Sequence, residues 1–142
     1  MRIHFVHGML AGVAALALFA AGARAEKPAA TGEEQAAAGA KLYAKHCAKC
    51  HGDAGQGKKA PAVVGKDALP LDPPANAKLR KTQFHTAQDV AAFVAANMPP
   101  KKGGSLTTDQ YYEILAFDLK ANGVDVSGKK IDPTTAAEIK LH

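Results

Sequence analysis

The sequence predicts an all-α domain, and three observations carry that expectation. Apolar residues recur at helical spacing in three separate segments, and two of these open on residues that can cap a helix. Strict apolar/polar alternation, the mark of a half-buried strand, is nowhere visible, and no repeat appears. Glycine and proline, finally, cluster in the intervals between these segments.

Taken in order, the first 25 residues read as a secretory signal. Arg2 supplies a positive start, Gly8 to Gly22 carry no charge, and Ala23-Arg24-Ala25 offers the small-x-small pattern cut by signal peptidase. The apolar run is shorter than the roughly 20 residues a spanning helix needs, so no transmembrane anchor is expected. Residues 26–31 form a loose leader, and 32–123 form the domain. Between Glu33 and His46 the residues Ala36, Gly39, Ala40 and Tyr43 fall at helical spacing among good helix formers. Gly52, Gly55 and Gly57, followed by Pro61, Pro70, Pro73 and Pro74, make 52–83 mostly loop.

A second helix is predicted after Thr86, which Asp89 can cap three residues on; Val90, Phe93 and Val94 line one side, and Pro99 ends it. A third begins at Thr107, where Thr-x-x-Gln to Gln110 makes a capping box. It carries Tyr111, Ile114, Leu115 and Phe117 and stops at Asn122-Gly123. Residues 124–142 are expected to be a C-terminal extension with a turn near Ser127-Gly128 and a short helix after Pro133.

Removing Arg2 and Arg24 lowers the formal charge from +5 to +3, a mild bias that suits an acidic protein partner and argues against nucleic-acid binding. Both cysteines of the chain fall in Cys47-Ala48-Lys49-Cys50-His51. That spacing bonds two thiols to the two vinyl groups of one haem while the adjacent imidazole reaches the iron. His51 Nε2 would bind the metal, leaving Nδ1–H for an acceptor that orients the ring. A plain disulfide or thioredoxin-like pair would need only the cysteines, but that chemistry belongs beside a strand-rich pattern absent here. A zinc site would need two more ligands, and His46, His85 and His142 show no paired spacing.

Where haem iron is kept at high potential, thioether sulfur is the usual partner of His. Met1 and Met9 leave with the signal, so Met98 is the sixth-ligand candidate, before Pro99-Pro100, which stiffen the loop. The competing readings are a core-filling Met98 and a bis-His site using His85. On these residues the chain resembles a monohaem class I c-type cytochrome from about Gly32 to Gly123: Gly39 and Tyr43 precede Cys-x-x-Cys-His-Gly, and a Met-Pro loop and an aromatic-bearing last helix follow. The resemblance implies a small helical domain wrapped around one haem c. It also implies that Gly39 and Tyr43 pack on the last helix around Ile114 and Phe117, and that the Pro61 carbonyl accepts from His51 Nδ1. Residues 66–81 and the tail match no part of that pattern.

Lys58 and Lys59 follow the haem motif and Lys101 and Lys102 follow Met98, a placement suited to steering an acidic redox partner. Tyr111 or Tyr112 is a candidate donor to the Met98 sulfur or a haem propionate. With both axial positions filled by protein, the expected function is one-electron transfer in the periplasm rather than enzymatic turnover. The alternatives are a gas-binding or peroxide-reactive protein with a labile sixth ligand, or the cytochrome subunit of a larger dehydrogenase or oxidase. In the carrier reading the chain is a monomer or a subunit of a redox complex.

Overall fold

The computed structural model describes residues 30–142, so the expected signal peptide and most of the expected leader lie outside the described residues. Among the described residues five helices follow in order: α1 (Gly32–His46), α2 (Ala48–His51), α3 (Ala87–Asn97), α4 (Thr108–Ala121) and α5 (Pro133–Glu138). Among the described residues the extended pairing amounts to one isolated antiparallel bridge, Thr86 with Lys140. The all-α expectation holds.

The starts of the helices follow from local chemistry. Thr31 caps α1: its N–H donates to Glu34 Oε2 at 2.8 Å, and the Glu34 N–H donates to Thr31 Oγ1 at 3.3 Å. Thr31 is therefore part of the first helix's cap, not of a loose leader. At α3 the Thr86 N–H donates to Asp89 Oδ2 at 2.8 Å, and at α4 Thr107 and Gln110 exchange bonds of 3.0 and 3.2 Å. Asn122 closes α4, and Gly123 then turns the chain at a φ of 84°, where a side chain would be strained.

α1 and α4 cross in close backbone contact. A Cβ on Gly39 would stand 1.8 Å from the Glu113 carbonyl oxygen, so no larger residue fits without moving a helix. One turn on, the Tyr43 and Phe117 rings lie 4.9 Å apart between centroids. This is the packing the resemblance implied.

The larger core lies on the other side of α4. Leu115, Ala116 and Leu119 meet Ala87, Val90 and Ala91 of α3, and Val126, Ile131 and Ala136 of the tail close it. Gln35, buried in α1, clamps the tail from both directions: its Nε2 donates to the Ile131 carbonyl at 2.8 Å, and the Ile131 N–H donates to its Oε1 at 2.6 Å. The expected boundary at residue 123 therefore divides residues that share one core, and 124–142 are not an appendage. Of the tail's buried side chains, Val126 and Ile131 sit singly on irregular backbone and Ala136 on the single short helix α5, which leaves little periodicity to read.

The 66–83 stretch is likewise fastened. The buried Arg80 guanidinium donates to the carbonyls of Pro70, at 2.7 Å, and of Asp72, and it lies 4.0 Å over the Phe84 ring. Phe84 in turn packs edge-on against Phe93 of α3.

Candidate functional site

Beside the α1–α4 crossing lies a cleft with about 860 Å³ of space free of protein atoms, counting its open mouth. The end of α1 and the single turn of α2 form one wall and bring Cys47, Cys50 and His51 to it; the C-terminal end of α3 brings Met98 to another. Val63, Val94, Leu106 and Ile114 make most of the remaining lining apolar. The structure thus gathers four of the five predicted site residues into one cleft, and the fifth, Pro61, touches it through His51.

Pro61 accepts from His51 Nδ1 at 2.7 Å. That bond puts the proton on Nδ1 and leaves Nε2 with a free lone pair, the tautomer a metal needs. The geometry comes from the glycine-rich loop, whose backbone folds back onto the motif: Lys59 and Ala60 N–H groups both donate to the Cys50 carbonyl at 3.0 Å. Tyr43 fixes the motif from behind by donating its hydroxyl to the Gly52 carbonyl at 3.0 Å.

Cys47 and Cys50 are not joined in a disulfide. Burial, then the nearby Asp118 and Cys50, push the Cys47 thiol up to about 12. A thiol so raised is a poor thiolate nucleophile at neutral pH, which disfavours the disulfide-exchange reading.

Tyr111 is buried and donates its hydroxyl to the Met98 backbone carbonyl at 2.8 Å, so it holds the loop rather than the sulfur. Tyr112 faces away and donates to Gln88 Oε1 at 2.6 Å. Neither plays the sulfur-donor part considered for it. His85 is exposed, pairs with Gln83 at 3.0 Å and does not line the cleft. Lys58, Lys59, Lys101 and Lys102 are all exposed, and Lys59 borders the cleft.

One lining residue is not among the sequence-predicted set. Asp118 is 6% exposed, and its Oδ1 has no hydrogen-bond partner among the described residues. Burial raises its carboxyl to about 8. A signal for it exists: on α4 it falls seven residues after Tyr111 and four after Ile114, an acid on the apolar face of its helix.

The model of the family described as cytochrome C oxidase, cbb3-type, subunit III matches residues 34–117. This chain belongs to that family and is a c-type cytochrome. The thiosulfate dehydrogenase of Stutzerimonas stutzeri (strain A1501) is 35% identical to it over 98 residues, 65% of this chain and 29% of that protein. A chain in the crystal structure of the sulfane dehydrogenase SoxCD from Paracoccus pantotrophus superposes with a TM-score of 0.57 at 26% identity, over 78% of this cytochrome and 58% of that chain. The cytochrome therefore spans less than a third of the first relative and somewhat over half of the second.

A cytochrome c domain implies haem c, and the residues present fit it. Two thiols at haem-attachment spacing, an imidazole whose outer nitrogen is free, a thioether and an apolar lining share one cleft. Among the described residues no helix is long and apolar enough to cross a membrane.

Proposed function

We propose that this cytochrome is an exported, periplasmic one-electron carrier holding a single haem covalently through Cys47 and Cys50, with His51 and Met98 as axial ligands. The observation that carries the reading is the His51–Pro61 bond: it directs the one imidazole of the cysteine motif to present Nε2 to the cleft. The bound haem supplies the exchangeable electron. The chain's own residues do the rest: Cys47 and Cys50 tether, Pro61 orients His51 and strengthens it as a ligand, and Tyr111 holds the Met98 loop. The apolar walls limit water access, which favours the reduced form.

Two protein ligands leave no coordination position for a substrate, so the chain transfers electrons rather than turning over a substrate of its own. The exposed lysines flanking the motif and Met98 favour a partner with an acidic docking surface. A second reading, that the chain serves as the cytochrome subunit or domain of a larger dehydrogenase, is favoured by its likeness to part of a thiosulfate dehydrogenase and part of a sulfane dehydrogenase chain. It changes the partner and keeps the same haem chemistry.

Expression with a cytochrome-maturation system tests the attachment. The wild-type chain retains haem after denaturation in acid and organic solvent, and the double variant Cys47→Ala, Cys50→Ala does not. Haem freely extracted from the wild type contradicts the covalent reading.

A further inference from the structure

The chemistry assigned so far does not use Asp118. Its side chain lines the haem cleft from α4, is more than nine-tenths buried, and leaves Oδ1 unpartnered among the described residues. An orphaned buried carboxylate costs more than it returns in stability, so a neutral leucine would serve a purely structural role better. Resting on the haem-carrier reading above, we propose that Asp118 is a proton-binding site coupled to the redox state of the haem. Its carboxylate takes up one proton from solvent as the iron takes up one electron from a donor protein, and it releases that proton on reoxidation.

The coupling runs through the shared cleft. The oxidised centre carries one more positive charge than the reduced one, and in a poorly solvated cleft that charge favours a carboxylate. Reduction removes it, and burial then favours the acid. No compensating cation intervenes: among the described residues Asp118 forms no ion pair, and burial is the cause of its raised affinity for a proton. The titratable groups around it are few. From α1 comes Tyr43, pushed upward by burial first and by Asp118 next, with Asp53 acting on it from the glycine-rich loop; Cys47, once in its thioether, does not titrate. His46, Lys59 and Tyr111 line the same cleft beside Cys50 and His51, and α3 contributes the uncharged Val94. With Asp118 at about 8 before any redox charge is added, the exchange falls near neutral pH.

The test is the midpoint potential of the holoprotein, followed optically from roughly pH 5 to 10. For the wild type the potential falls as pH rises through the exchange window. Each tenfold difference in proton affinity between the oxidised and reduced protein adds about 59 mV to the total fall. Asp118→Asn, neutral at every pH, abolishes that fall and stays at the acid-side potential. A flat wild-type profile overturns the proposal, and so does an unchanged fall in the variant.

If the variant fails to take up haem, redox-difference infrared spectra of wild-type protein labelled with ¹³C-carboxyl aspartate decide. A labelled C=O stretch of a protonated acid that grows on reduction supports the exchange, and an unchanged one overturns it. Haem absorption without these pH effects fails this proposal alone; absence of haem absorption fails the reading on which it rests.

Discussion

The two sides of α4 differ in how complete they are. On one side Leu115, Ala116 and Leu119 are sealed by α3, Phe84 and the tail into a core of twelve buried residues. On the other, Tyr43, Ala48 and Ile114 are the buried members of a small cluster that gives onto the open cleft. The first side is finished by protein alone. The second is completed by the haem that a cytochrome c domain implies, which accounts for its mostly apolar lining. A small domain with a modest core gains from such a cofactor as packing material as well as chemistry.

The hardest way to break this arrangement is to break what both sides share. Gly39→Val drives side-chain atoms into the Glu113 carbonyl, so it should cost more than about 3 kcal/mol or prevent folding altogether, read by circular dichroism and denaturant titration. Next in size, Leu119→Ala, on the sealed side, should cost about 3 kcal/mol in the holoprotein and leave the visible spectrum unchanged. Ile114→Ala should cost about 2 kcal/mol and also alter haem absorption, because Ile114 lines the cleft. Equal spectral effects from the two would erase the distinction between the sides.

Asp118→Asn should act in the opposite direction. In the reduced protein the folded carboxyl holds its proton up to about pH 8, whereas an unfolded aspartate loses it near the ordinary value of 3.8. Wild-type stability therefore falls as pH rises through that window, and the variant escapes the fall. Relative to wild type at the same pH, the variant gains stability progressively between about pH 4 and about pH 8, on the order of several kcal/mol in total. Urea melts across pH read it directly. The smallest effect belongs to the surface: Lys129→Ala removes an exposed pair with Glu138 at 3.2 Å and should change stability by less than about 0.5 kcal/mol.

Much of this architecture is legible in the amino-acid sequence alone. Capping boxes mark the starts of α3 and α4 because backbone N–H groups at a helix start need nearby acceptors, a purely local requirement. The Cys47–His51 motif is local too, and Met98 stands out because few methionines compete with it. What the sequence hides depends on distant partners. Gln35 finds the Ile131 backbone 96 residues away, and Arg80 finds carbonyls of a loop with no regular structure. The tail's Val126 and Ile131 are isolated apolar residues whose burial is decided by the groove that α1 and α4 leave for them. Asp118 falls between the two cases. Its place on the apolar face of α4 is local, but its burial and its missing partner depend on what the end of α1 and the haem motif set across from it.

In the proposed carrier, protein side chains fill both axial positions of one haem. A visible spectrum of the mature holoprotein, oxidised and then reduced, with and without carbon monoxide, tests it most directly. With His51 and Met98 both on the iron, the spectrum is low-spin, and the gas leaves it unchanged in the wild type and shifts it in Met98→Ala. A carbon monoxide shift in the wild type would contradict it, because the iron would then hold an open or labile position suited to sensing or catalysis rather than to electron transfer alone.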